Sequence, residues 1–278
     1  MIGPARVASR DVDTLAECRI ARQARWLRRR CWSLLPAERI ATVSARFEEL
    51  AWRETPMGAI SLRRRLEPSL HVEVYEVKLG DEFLMSSLFT VAEIELARRG
   101  LAQTPGTDLD VVVGGLGLGY TARAVLEDPR VRSLAVVEAL PDVIDWHERE
   151  LVPGAADLTS DPRTRLVNDD FFAIVEAGTG FDPQTPGRRF HAVLLDVDHS
   201  PRQVLHPSHA TFYTPQGLRR LTRLLHPGGV FALWADGAPD DDFLTVLADV
   251  FDHAQTDVVA FPNFYTGAQS ASTVYVAH

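Results

Sequence analysis

The chain has 278 residues, 46% of them hydrophobic, which is enough for a sizeable core and implies one main domain with an appendage. Its formal net charge of −9 is unevenly spread: residues 1–65 carry +7 and the remaining 213 carry −16. An acidic body argues against a nucleic-acid groove, because phosphate binding needs a positive footprint, and it suits a cationic small substrate.

No apolar stretch approaches membrane-spanning length, and the N-terminus lacks the apolar core and cleavage site of a secretory signal. Cys18 and Cys31 are the only cysteines, so neither a disulfide framework nor a metal knuckle is expected. A cytoplasmic setting follows. Lys78 is the sole lysine among 29 basic residues, a bias that fits a GC-rich bacterial genome.

In chain order, residues 1–45 read as a basic helical extension, with Ile20, Ala24, Leu27, Cys31 and Leu34 at helical spacing among arginines. Residues 46–100 read as a small β unit plus a linking helix: alternating stretches at 59–65 and 71–79 flank Pro68, and 85–99 has a helical pattern. From 101 to 278 strands and helices alternate, the mark of a doubly wound, Rossmann-like α/β sheet. Seven strands are predicted at about 109–113, 133–138, 164–168, 191–196, 229–235, 256–261 and 272–277. Helices are predicted near 119–127, 141–150, 213–225 and 240–252, and the last two strands should form an antiparallel hairpin at the sheet edge.

The first of these strands runs into Gly114, Gly115, Gly117 and Gly119. Such a turn lets a ligand approach the main chain beside a helix N-terminus. Glu138 ends the next strand, where a carboxylate can accept both hydroxyls of a ribose. Locally, residues 117–122 also satisfy the dinucleotide pattern G-x-G-x-x-A, and a turn that only packs helix on strand remains open. The third strand ends in VNDDFF: Asp169 or Asp170 can accept from an adenine amine with Phe171 or Phe172 against the ring, or the two acids simply cap a helix. Asp196 leaves the fourth strand at its carboxyl end, where open α/β sheets bind ligands. Together with the LLHPGG turn before strand five, this ordered set fits an S-adenosyl site better than a dinucleotide site.

The segment DVDHSPRQVLHPSH places Asp196, Asp198, His199, His206 and His209 within a short loop. Its spacing matches no standard metal motif, so no metal is expected, and His199 is read as a second general base. His209 is read as a cap for the helix that follows, Tyr213 as either a pocket or a core residue, and Trp234 likewise. No G-x-S-x-G elbow and no Walker loop occurs.

Over roughly 52–278 the order and spacing of motifs resemble the polyamine aminopropyltransferases, the spermidine synthase-like family on the class I S-adenosylmethionine-dependent methyltransferase fold. DEF at 81–83, VEALPDVIDW, Asp196 with its D-x-D-H loop, Phe212–Tyr213, LLHPGG and FPNFYTG look like the family's corresponding segments. The resemblance implies that Glu138 holds the ribose, Asp170 or Asp169 the adenine, and that Asp196 orients the reacting amine and helps accept its proton. It also implies a homodimer. The family's turn carries an aspartate that holds the amine of decarboxylated S-adenosylmethionine; Leu118 stands there. Met85, Ser86 and Ser87 replace a tyrosine and a polar pair, and His199 replaces the second aspartate of D-x-x-D, so the set that grips a diamine is incomplete.

The expected function is transfer of an alkyl, aminopropyl-type group from an S-adenosyl donor, intact or decarboxylated, to an amine or other nucleophile. Asp196, His199 and Tyr213 are its catalytic candidates. Gly115, Gly117, Gly119, Glu138, Asp169, Asp170 and Phe171 are its donor-binding candidates. The alternatives are a methyltransferase, which leucine at 118 leaves open, and a non-catalytic nucleoside- or partner-binding protein.

Overall fold

A computed structural model describes residues 47–278. The helical extension expected at 1–45 lies outside the described residues. Four antiparallel strands come first, in spatial order β1 (Phe47–Thr55), β2 (Gly58–Glu67), β3 (Val72–Leu79) and β4 (Glu82–Ser86). Only the middle two are legible as alternating stretches. In β1 the register shifts between Glu49 and Ala51, which breaks the period-2 pattern, and most of its side chains are exposed. β4 takes residues from the predicted helix 85–99, because Phe83 and Met85 pair with Lys78 and Val77 across the hairpin. The helix α1 therefore starts later, at Val91–Gln103, and buries Ala92, Leu96, Ala97, Gly100 and Leu101 along one face.

The second sheet has seven strands, in spatial order β10-β11-β9-β8-β5-β6-β7. They are β5 (Leu109–Gly114), β6 (Val131–Glu138), β7 (Thr164–Asn168), β8 (Phe190–Leu195), β9 (Leu225–Asp236), β10 (Ala254–Asn263) and β11 (Ala268–Ala277). Five run parallel, and β11 returns antiparallel between β9 and the edge strand β10, as the hairpin expectation has it. The LLHPGG segment is no separate turn: it is absorbed into β9, where the pairing with β8 slips and Gly228 adopts φ +71. Between strands lie α2 (Tyr120–Leu126), α3 (Pro141–Glu148), α4 (Ala155–Thr159), α5 (Phe171–Ala177), α6 (Pro215–Thr222) and α7 (Asp241–Ala248). Pro141 and Pro215 stand in the first turns of α3 and α6, where a missing N–H costs nothing.

The central strands are apolar on both faces, as a covered parallel sheet requires. Val111 and Val113 of β5, Ala192 and Leu194 of β8 and Val230 and Ala232 of β9 point to one layer, with α1 and with Ile60, Leu62 and Val77 of the small sheet. The alternate residues Val112, Val193, Leu195, Phe231 and Leu233 point to the other layer, which is rich in aromatics. Burying each of the valine, leucine, isoleucine and phenylalanine side chains contributes roughly 1.5–3 kcal/mol. Chain order runs from β5 outward through β6 and β7, then returns to β8 on the other side of β5. This reversal opens a crevice at the strand ends.

Candidate active site

A cavity of about 600 Å³ lies at that crevice, walled by the small sheet, α1, the glycine turn and the tip of the β10–β11 hairpin. The tip is held by aromatic contacts: Phe89 lies 5.8 Å from Phe261, 6.3 Å from Phe264 and 5.8 Å from Tyr265, centroid to centroid. Tyr265 also meets Arg65 and Glu67 of β2.

The turn after β5 is built on left-handed glycines, with φ +93 at Gly115, +47 at Gly117 and +83 at Gly119. A Cβ on Gly115 would collide with the carbonyl of Asp196, and one on Gly117 with the Met85 thioether. Gly115→Ala is therefore expected to lose at least ~2 kcal/mol of stability, read from urea denaturation midpoints. An unchanged midpoint would contradict the account of the turn. Met85 lies over the turn, its sulfur 3.1 Å from the Leu118 N–H. The Leu118 side chain is buried in the core. Met85 and Ser86 line the cavity, whereas Ser87 turns to accept from the Tyr75 N–H at 2.9 Å.

Beneath the turn sits His147, which sequence reading did not single out. Its Nε2 lies 2.9 Å from the Gly117 carbonyl, so the proton is on Nε2, and the ring abuts Gly119. Burial pushes its pKa down, which keeps it neutral. The available signal was its place beside Val143 and Trp146 on the buried face of α3.

Glu138 closes β6 and clamps the turn. Oε2 accepts from the Leu116 N–H at 3.0 Å and Oε1 from the Leu140 N–H at 2.9 Å. Its side chain opens onto the cavity and is otherwise enclosed; that burial raises its pKa against the amides that lower it. The Gly117 and Ala139 amides also lie close to the carboxylate.

The structure separates the two aspartates after β7. Asp170 lines the cavity and caps α5, with Oδ1 accepting from Phe172 N–H (2.8 Å) and Ala173 N–H (3.1 Å). Its Oδ2 makes no hydrogen bond among the described residues. Asp169 is exposed, away from the cavity wall, and its Oδ1 accepts from the Asp170 N–H. Phe171 is 3% exposed; it borders the cavity and stacks on Phe181 at 5.1 Å.

Asp196 follows β8 at the crevice. Its amide donates to the Gly114 carbonyl at 2.8 Å, and its Oδ2 accepts from the Thr121 hydroxyl at 2.6 Å. Facing the same cavity is Glu93 of α1, a second residue that sequence reading passed over. Burial and the neighbouring Asp196 carboxylate push Glu93 up to about 8, and burial pushes Asp196 up to about 6. No linear motif joins residues 93 and 196; only the third dimension does.

The histidine-rich loop divides. His199 lines the cavity, and its Nε2 meets Glu82 of the DEF segment at 2.8 Å. Asp198 turns into the core instead, where it accepts from Leu205 N–H (2.7 Å), His209 Nδ1 (2.9 Å) and the Tyr213 hydroxyl (2.7 Å). Tyr213 is thus a buried core residue off the cavity wall, and burial with the Asp198 charge raises its pKa. His209 does not cap the following helix. Its ring stacks on Phe172 at 3.8 Å, while His206 caps the short 3₁₀ turn Pro207–Thr211 and Thr214 caps α6. Trp234 lines the cavity, and its Nε1 is buried without a partner among the described residues.

No protein-family model matches the chain. A polyamine aminopropyltransferase of Corynebacterium efficiens is 33% identical over 98 residues, 35% of this chain and 17% of that protein. Another, of Pyrobaculum arsenaticum, is 26% identical over 126 residues, 45% of this chain and 41% of that protein. The matched stretches span less than half the length of either relative. Among solved structures, the spermidine synthase of Thermotoga maritima superposes with a TM-score of 0.62 at 16% identity, covering 82% of this chain and 72% of that one. A spermidine synthase in complex with the transition-state analogue AdoDATO gives 0.62 at 16% identity, over 82% and 71%. A probable spermidine synthase from Corynebacterium glutamicum gives 0.56 at 16% identity, over 82% and 79%. These likenesses show the fold, and the names are those of the family that the motifs of 52–278 resemble.

Proposed function

We propose that this chain, which has the spermidine synthase fold, transfers an aminopropyl-type group from decarboxylated S-adenosylmethionine to an amine. One observation carries the reading. Glu93, Glu138, Asp170, Asp196 and Asp236 line the cavity, and no arginine or lysine does so among the described residues. A donor bearing a sulfonium and an ammonium enters this field with opposite charge, whereas the carboxylate of the intact donor enters against like charge. The names of the relatives and structural neighbours support the same chemistry.

In this reading the turn of Gly115, Gly117 and Gly119 admits the donor to the main chain, with Phe171 behind it. Glu138 takes the ribose hydroxyls, and Asp170, through its free Oδ2, takes the adenine amine. Asp196 orients the acceptor amine and His199 stands as a second base. As the amine nitrogen forms its bond to the carbon beside the sulfonium, the carbon–sulfur bond breaks onto sulfur. Methylthioadenosine leaves, and the amine proton passes to the Asp196 carboxylate. Tyr213 acts only through Asp198, as a positioning residue for the loop. A homodimer and a cytoplasmic setting belong to the reading and rest on the resemblance and the composition.

Calorimetric titration with decarboxylated S-adenosylmethionine, S-adenosylmethionine, S-adenosylhomocysteine, methylthioadenosine and NAD tests it. The decarboxylated donor and methylthioadenosine are expected to bind at least tenfold more tightly than the other three. Preference for S-adenosylmethionine and S-adenosylhomocysteine would move the assignment to methyl transfer. Binding of none would leave a non-catalytic protein.

A further inference from the structure

Glu93 and Asp196 come from different elements, α1 and the end of β8, yet face one cavity. Thr121 joins them: its hydroxyl donates to Asp196 Oδ2 at 2.6 Å and lies 3.3 Å from the Glu93 carbonyl. The Glu93 side chain is half-buried, meets its own backbone N–H and pairs with no other residue among the described ones. Two half-buried carboxylates that face one cavity with no arginine or lysine between them are unfavourable unless they hold a proton or receive a positive group.

Away from the acids the cavity lining is largely apolar, with Ser86, Asn263, Ser270 and Ser272 as uncharged polar groups among it. Ile60, Val77 and Leu79 of the small sheet, with Phe83, Phe89 and Phe261, form the wall. The other acids are less suited to a second cation. Glu138 already accepts two amides, Asp170 caps α5, and Asp236 is exposed, where a charge pair contributes little.

We propose that the acceptor is an apolar monoamine, an alkyl- or arylalkylamine, whose single ammonium is held by Glu93 beside Asp196 while its body lies against the apolar wall. The inference rests on reading the cavity as an aminopropyl-transfer site and names the substrate class for it. It predicts that a diamine is a poor ligand, because its far ammonium would lie against the apolar wall without a carboxylate.

The test is calorimetric titration of the full-length chain, with and without saturating methylthioadenosine, using n-butylamine, n-hexylamine, n-octylamine, 2-phenylethylamine and 1,4-diaminobutane. Affinity is expected to rise about fourfold per methylene from butyl to octyl, as apolar burial dictates. n-Hexylamine is expected to bind at least tenfold more tightly than 1,4-diaminobutane, and Glu93→Gln to lose at least tenfold in n-hexylamine affinity. A diamine that binds as tightly as n-hexylamine, or a Glu93→Gln chain that binds n-hexylamine as the wild type does, overturns the inference. The chain-length series is read on the wild type, so it decides even if the variant fails to fold. Methylthioadenosine binding without the alkylamine preference overturns the inference and leaves the donor reading standing; the preference without methylthioadenosine binding does the reverse.

Discussion

Asp196→Asn is expected to lower the rate of transfer about a thousandfold while changing methylthioadenosine affinity less than about threefold. Asparagine keeps the shape of the side chain, and its carbonyl oxygen can still accept from the Thr121 hydroxyl that Asp196 Oδ2 meets at 2.6 Å. What it loses is the negative charge beside the incoming ammonium and the capacity to take a proton. Burial has already raised Asp196 to about 6, closer to neutral pH than an ordinary aspartate, which favours proton acceptance at the moment of attack. The wild-type rate should accordingly fall as pH drops through about 6, and the residual rate of the variant should lack that limb. Single-turnover kinetics across pH, with calorimetry on the nucleoside, separates the two effects. A variant with near wild-type turnover would remove Asp196 from the chemistry.

The second large effect concerns stability. Glu93 and Asp196 have native pKa values raised to about 8 and about 6, above the ordinary carboxylate values of 4.5 and 3.8. The folded state thus binds protons more tightly than the unfolded state between those limits, and stability falls as pH rises through that window. The relative stabilisation is complete below about pH 4 and is lost progressively until about pH 8. Glu93→Gln removes the larger contribution. Its stability should still fall between about pH 4 and 6, where Asp196 titrates, should be nearly flat from pH 6 to 8, and should exceed that of the wild type at pH 8 by on the order of a few kcal/mol. At pH 4 the two proteins should be nearly equal. Denaturant titrations at pH 4, 6 and 8 check this, and a wild-type curve that rises toward pH 8 would show that the pair is not buried together. The gain in stability and the loss of amine affinity in the same variant express one fact: a half-buried charge kept for a ligand is costly without it.

The chain pattern determined the fold because the central strands are buried on both faces. A strand such as DVVVGG has no polar alternation to confuse it, and its glycines can only end it. The end of β6 at Glu138 and the end of β8 before Asp196 were legible for the same reason: apolar runs stop where the crevice opens. The antiparallel pairing of β11 with β10 followed from a connection too short for a crossover helix, whereas the insertion of β11 beside β9 is seen only in the structure. Edge elements were harder. β1 has a bulge and little buried surface, and β4 owes its strand form to pairing with β3 rather than to its own residues.

Side-chain direction was decided only by the tertiary structure. Asp196, Asp198 and His199 are near neighbours in sequence, yet Asp198 turns into the aromatic layer to hold His209 and Tyr213 while the other two face the cavity. The choice between Asp169 and Asp170 rested on which one caps α5. Nothing in the pattern of α1 marks Glu93, and only the packing of α1 against β8 brings it to the cavity. Periodicity records which face a residue takes on its own element. It carries nothing about which other element covers that face, and in this protein the pairing of two acids across that contact sets the charge of the site.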